Sequence, residues 1–139
     1  MNAKQYLMQI KLADIRINNK IAEKQQLYSM ATKVTSTWSQ DKTGGNQATD
    51  KIGNMVAKIA DIEAEINRMI DEYVDLKNRI IHQIEQIEDE RYYNILHKRY
   101  VQYKDFSVIA SDMCYEYKSI INLHGNALKE FSKIIDDIK

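Results

Sequence analysis

The stretch KDFSVIASDMCYEYKSIINLHGNALKEF, Lys104 to Phe131, decides the fold of this 139-residue chain. Its apolar residues fall at helical spacing in two stripes, separated by a short interval around Tyr115. Ala110 offers a small side chain where two helices can cross closely, and Asp105 is placed to cap the first helix. The first stripe is Phe106, Ile109, Ala110 and Met113, and the second is Ile120, Leu123, Ala127, Leu128 and Phe131. The spacing therefore predicts two helices joined by a tight turn, a helix-turn-helix.

The composition predicts an all-α protein. Proline is absent and glycine occurs only four times, so little in the sequence interrupts long helices. The apolar runs are too short for a membrane span, and the N-terminal residues interleave charge with apolar residues, unlike a signal peptide. The single cysteine, Cys114, excludes an internal disulfide framework and agrees with a reducing compartment. We therefore expect a cytoplasmic protein without a membrane partner.

Charge is distributed unevenly although the net charge is zero. Residues 1–51 hold eight basic and four acidic side chains, a net +4, and residues 52–87 hold four and seven, a net −3. Residues 88–139 hold eight and nine, a net −1. The opposite charges of the first two segments favour their pairing, and the slightly acidic last segment argues against strong autonomous binding to nucleic acid.

A heptad pattern marks the middle of the chain. The apolar residues there follow each other at alternating intervals of three and four, which keeps one seam of a helix towards a partner helix. This seam consists of Ile52, Met55, Ile59, Ile62, Ile66, Met69, Tyr73, Leu76 and Ile80. The pattern predicts a coiled-coil helix over about 50–87, and we assign its seam to oligomerisation.

A first helix is predicted over about 3–37, with a polar interruption at Lys24 and Gln25 that can fix the register of a coiled coil. Between the two helices, residues 39–50 contain Gly44, Gly45 and Asn46, typical of a turn, and Thr49 or Asp50 can cap the second helix. The sequence thus predicts a long N-terminal antiparallel coiled-coil hairpin with a mobile tip.

Two helices that meet along one stripe leave other apolar residues uncovered. Ile15, Leu27, Val56, Ile70, Val74 and Ile81 lie off the seams and could form a second face. A four-helix dimer is one way to cover them. The alternative is a monomeric bundle in which the hairpin folds back on the C-terminal helices.

The last 52 residues are predicted to form a separate domain of short helices. The segment EDER at 88–91 breaks the heptad rhythm. Helices are then predicted over 92–103, 105–112 and about 116–137. The predicted division is an oligomerisation hairpin at 1–87 and a three-helix helix-turn-helix domain at 88–139.

The C-terminal pattern resembles sigma-70 region 4 and the sigma-region-4-like regulators of phages. The stretch from Phe106 to Phe131 aligns without gaps to the pattern of that domain. The residues that precede it in the resemblance are Ile95, Leu96, Arg99 and Tyr100. The chain is most similar to small proteins encoded in prophages of Gram-positive bacteria, which share M-x-Y-x-Y and L-H-G-x-A-L; here these are Met113, Tyr115, Tyr117, Leu123, His124, Gly125, Ala127 and Leu128. The segments 6–27 and 56–66 also resemble that group, so the resemblance covers nearly the whole chain.

The resemblance implies a DNA-binding transcription regulator that acts at phage promoters on double-stranded DNA, with RNA polymerase as a further candidate partner. The alignment assigns base reading to Tyr117, Lys118 and Asn122, with Ser119 and Asn126 adjacent. It assigns phosphate contacts to Lys104, Arg99 and Lys129. Each of these also fits an ordinary solvated helix face. Where such domains usually carry Ser or Thr as the helix cap, this chain has Glu116, which is a poorer cap and brings negative charge towards phosphates.

No motif indicates an enzyme, a cofactor or a metal site. His82, His97 and His124 lack metal-ligand spacing, and His124 is better explained as a polar residue beside the inter-helix contact. Cys114 is interpreted as a small packing residue. The sequence contains no phosphate-binding glycine loop and no nucleophile elbow. The competing hypothesis is therefore also non-enzymatic: a coiled-coil structural or adaptor protein that binds a protein partner.

Overall fold

The computed structural model describes the backbone of residues 1–40 and 45–138, and the side chains of residues 1–34 and 50–137. Its helices are α1 (Ala3–Gln40), α2 (Gly45–Glu85), α3 (Glu90–Leu96), α4 (Phe106–Met113) and α5 (Tyr117–Ile138). A π-helical turn, His97–Val101, follows α3 directly. The described part of the chain contains no strand, so the all-α prediction is confirmed there.

The helix boundaries correct several predictions. Helix α2 begins at Gly45, so Thr49 and Asp50 lie inside it and cannot be its cap. Residues 41–44 of the predicted tip lie outside the described residues. The helix predicted over 92–103 is two pieces, α3 and the π-helical turn, and Tyr103 follows them with φ 60°. Asp105 does occupy the N-cap position of α4, but its side chain makes no capping hydrogen bond.

Contacts divide the chain into two compact units. The first comprises Met1–Asp14 and Tyr73–Lys139, and the second comprises Ile15–Glu72. These bounds describe packing. The predicted division at residue 87 concerns oligomerisation and DNA binding, and it stays a prediction.

The first unit has a continuous apolar core. Leu7 and Ile10 of α1 and Ile80 and Ile84 of α2 are fully buried in the same cluster as the side chains of α3, α4 and α5. The buried residues of those later elements are Ile95, Leu96, Tyr100, Ile109, Ala110, Ile120, Ala127, Phe131 and Ile135. The Tyr6 hydroxyl donates a hydrogen bond to Oε1 of Gln83, 2.6 Å away, which gives the side-chain oxygen of this buried residue a partner. Helices α4 and α5 are therefore packed in one core with the N-terminal end of α1 and the C-terminal end of α2.

In the second unit, α1 and α2 run antiparallel where they meet. Lys20 lies 3.6 Å from Glu65, and Lys24, four residues later, lies 3.2 Å from Glu63. The basic charge predicted for the first helix and the acidic charge predicted for the second thus meet as ion pairs, and Lys24 is one of the two polar residues that interrupt the stripe.

All nine seam residues assigned to oligomerisation, from Ile52 to Ile80, are at least partly buried within the single chain. That assignment stays a prediction. Among the residues whose placement the structure gives, no helix combines the length and apolar character that crossing a membrane requires.

Candidate nucleic-acid interface

The turn between α4 and α5 is closed by backbone hydrogen bonds around Cys114. Cys114 adopts the left-handed conformation, with φ 60° and ψ 40°. The Cys114 amide donates to the carbonyl of Ser111 at 3.3 Å, and the Tyr115 amide donates to that of Ala110 at 2.9 Å. This is the Schellman pattern, which satisfies the last carbonyls of a helix and turns the chain sharply. Cys114 is exposed, so the prediction that it packs is wrong.

Helix α5 has a buried side and an exposed side. Ile120, Ala127 and Phe131 are fully buried against the core. The residues predicted to read bases, together with one predicted phosphate contact, are exposed: Tyr117, Lys118, Ser119, Asn122, Asn126 and Lys129. Since the spacing of these residues follows the helical repeat, the core contacts orient the predicted surface outwards.

An open groove of about 360 Å³ flanks this exposed side. Ser119, Asn122 and Asn126 line it from α5, and Arg91, Tyr92 and Tyr115 line it from α3 and the turn. Arg91 was not predicted as a site residue. Its Nη2 donates to Oδ2 of Asp89 at 2.9 Å, and its Nε donates to Oδ1 at 3.2 Å. The sequence signal for this bidentate pair is the spacing Asp-x-Arg at the start of a helix.

Two of the residues predicted to contact phosphates, Arg99 and Lys104, bind other groups of the chain. The Arg99 guanidinium lies 4.2 Å from the ring centroid of Phe106, and it donates to the backbone carbonyl of Lys104 at 3.1 Å. The Lys104 ammonium donates to Asp112 at 2.8 Å. The pKa of Asp112 is lowered, mainly by this hydrogen bond. Arg99 and Lys104 therefore hold α4 onto the preceding turn, and Lys129 is the more exposed cation of the three.

The π-helical turn contributes Tyr100, which meets His124 of α5 below the exposed side. The Tyr100 hydroxyl oxygen and His124 Nε2 are 2.7 Å apart, and both residues are buried. Burial lowers the pKa of His124 to about 4, with smaller contributions from Arg99 and Lys4. Burial likewise raises the pKa of Tyr100 to about 12. The neutral pair is thus favoured, with the phenol donating to the imidazole, and His124 lies beside the inter-helix contact as predicted.

The exposed side presents amides, hydroxyls and lysine ammonium groups, all of which can form hydrogen bonds with a polar molecule. Among the described residues, no three His, Cys, Asp or Glu side chains are arranged to hold a metal ion. Comparison of the chain with protein-family models, with curated proteins and with solved structures gives no match.

Proposed function

We propose that this chain is a non-enzymatic DNA-binding transcription regulator of a phage or prophage, which acts at promoters in the cytoplasm of a bacterial host. The sigma-region-4-like helix-turn-helix of this proposal consists of α4 and α5. The observation that carries the proposal is the exposed set Lys118, Ser119, Asn122 and Asn126 on the helix that follows a tight turn. Such a helix can enter the major groove, whose floor offers a distinct pattern of donors and acceptors for each base pair.

Each exposed side chain has a chemical counterpart in DNA. The Asn122 amide can pair with the N6 and N7 edge of adenine, and Lys118 can donate to guanine or to a phosphate. Tyr117 can contact a thymine methyl group or a phosphate. Lys129, farther along α5, supplies a phosphate contact that fixes orientation without reading sequence.

Binding is proposed to need a second copy of the chain or a protein partner. The net charge of residues 88–139 is −1, and Arg99 and Lys104 use their charges within the chain. Two linked copies gain affinity through effective concentration. In the second unit, Ile15, Val56 and Ile70 remain 45%, 56% and 39% exposed, and we assign them to self-association. RNA polymerase is the alternative source of the missing affinity.

The intramolecular contacts of Arg99 and Lys104 favour a second candidate function. A coiled-coil adaptor that binds a protein partner needs no free positive charge near α5, and its C-terminal helices would only pack. DNA binding separates the two functions, because phosphate attraction is strongest at low salt.

The deciding experiment is a mobility shift and footprint with the full-length chain on the upstream DNA of its own genetic element. The Asn122→Ala variant should lose about 1 to 3 kcal/mol of specific binding while keeping its fold. Asn54→Ala, at an exposed position of α2, is the matched control and should bind normally. No shift at low salt would favour the adaptor function. A footprint that Asn122→Ala leaves unchanged would contradict the assigned reading surface.

A further inference from the structure

Gly125 is an exposed glycine in the interior of α5 for which the chain itself shows no need. Apart from its two neighbours and the backbone of its own helix, no atom of the described residues would lie within 4 Å of a Cβ added there. Its φ is not positive, so the helix does not require a glycine for backbone reasons. Glycine in a helix interior is less stable than alanine, because the unfolded chain has more backbone freedom to lose. Nothing in the described part of the chain therefore explains a glycine at this position, where alanine would fit.

The position of Gly125 on the helix suggests an intermolecular explanation. Lys118, Asn122, Gly125 and Lys129 follow each other at intervals of four, three and four, so they form one row along α5. All four are exposed, on the side away from the fully buried Ile120 and Ala127. The row contains two lysines and no acidic residue. Gly125 is a gap in this row, where the helix backbone is directly accessible from outside.

We infer that Gly125 is the point of closest approach between α5 and double-stranded DNA. The missing side chain lets the floor of the major groove come against the helix backbone, while Asn122 and Lys118 reach base edges on one side and Lys129 reaches a phosphate on the other. A side chain at this position would hold the two surfaces apart and would weaken the contacts of the whole row together. This inference rests on the proposed function and names how the same surface meets its ligand.

Two substitutions and one matched control test the inference in the full-length chain. Gly125→Ala and Gly125→Gln add side chains of increasing size, and both residues are good helix formers. Gly53→Ala makes the same change at a glycine of α2, which is also exposed and has no atom of the described residues within 4 Å of the added Cβ. The two alanine variants should each raise the melting temperature by about 2 to 6 °C. A variant that is more stable than the natural sequence cannot lose binding by unfolding. A loss of binding by Gly125→Ala therefore reports on the contact between α5 and DNA.

Binding is measured by fluorescence anisotropy at fixed salt on the DNA that the natural sequence protects. Gly125→Ala should bind about tenfold more weakly and Gly125→Gln more weakly still, whereas Gly53→Ala should bind normally. Unchanged or tighter binding by both Gly125 variants would overturn the inference and leave the proposed function standing. An equal loss in Gly53→Ala would also overturn it, because the effect would not be specific to α5. Failure of the natural sequence to bind any DNA at low salt would overturn both.

Discussion

The hydroxyl oxygen of Tyr100 lies 2.7 Å from Nε2 of His124, and this hydrogen bond joins the π-helical turn to α5 inside the core. The His124 ring is also 4.8 Å from the ring of Phe106, at the start of α4. One buried imidazole therefore contacts the two elements that directly precede α5, the π-helical turn and α4. Its protonation state should affect how firmly these elements are held together.

Stability should decrease in mild acid because of His124. Its pKa is lowered from 6.5 to about 4 by burial, so the folded chain disfavours the proton that the unfolded chain accepts. The contribution is complete above about pH 6.5 and is lost as the pH falls towards 4. Urea unfolding at several pH values measures this pH dependence of the free energy of unfolding. His124→Gln should flatten this dependence, whereas His82→Gln, at an exposed position, should not. Burial also lowers the pKa of His97, so a smaller dependence should remain. An unchanged profile in His124→Gln would contradict the prediction.

Replacing Cys114 with glycine should stabilise the protein. A side chain in the left-handed conformation crowds the backbone, and glycine avoids this crowding, so Cys114→Gly should add about 1 kcal/mol to the free energy of unfolding. Cys114→Ala is the matched control, because it removes the thiol and keeps the Cβ. Its stability should stay close to that of the natural sequence. Equal effects of the two substitutions in chemical denaturation would argue against backbone strain at this residue.

Removing Arg99 should destabilise the fold. The Arg99 side chain covers the Phe106 ring and satisfies the Lys104 carbonyl, so Arg99→Ala should cost about 1 to 3 kcal/mol of unfolding free energy. Arg68→Ala removes an exposed arginine that pairs with Glu65 and Glu72 of its own helix, and should cost little. Normal stability of Arg99→Ala combined with a weaker salt dependence of DNA binding would instead support the phosphate contact predicted from the sequence.

Two isoleucines of α2 should respond differently to a carboxylate. Ile66 is 7% exposed, and burying an unpaired charge there should cost several kcal/mol in Ile66→Asp. Ile70 is 39% exposed, so Ile70→Asp should keep its helicity. If the proposed self-association is correct, Ile70→Asp should reduce the mass measured by light scattering. Natural stability of Ile66→Asp would show that this residue is not packed as described.

Lys129 should contribute to DNA binding without reading sequence. Lys129→Ala should weaken binding to different DNA sequences by similar factors and reduce the slope of log affinity against log salt by about one unit. Lys58→Ala removes an exposed lysine of α2 and keeps the same net charge as Lys129→Ala. A matching decrease in slope for Lys58→Ala would indicate a general charge effect in place of a contact.

The fold could be predicted largely from periodicity. The stripes at Phe106–Met113 and Ile120–Phe131 correspond to α4 and α5, because burial on one side of a helix leaves a direct pattern in the sequence. The starting point of α2 could not be predicted, because Gly45 and Asn46 favour turns but are also tolerated at a helix start. The left-handed conformations of Tyr103 and Cys114 left no signal in the sequence, since neither residue type favours positive φ.

The candidate site could be predicted only as one side of a helix. Helical geometry brings Lys118, Asn122 and Lys129 to the exposed side of α5, and the sequence spacing contains that information. It does not contain the partners of Arg99 and Lys104, because those depend on how α4 packs against the preceding turn. The groove with Arg91 was missed for the same reason: α3 and α5 are separated in sequence and meet only after folding.

The left-handed residues Tyr103 and Cys114 stand before and after α4, and each is followed by a backbone hydrogen bond that ends the preceding helical segment. The eight residues of α4 therefore lie between two turns whose positions are set by these hydrogen bonds. Losing or gaining one residue before Ile109 would rotate the later residues of α4 by about 100° relative to the core, so that Ile109 would leave its fully buried position. Natural variants of this protein should consequently differ in α4 by substitution and keep the number of residues between the two turns constant.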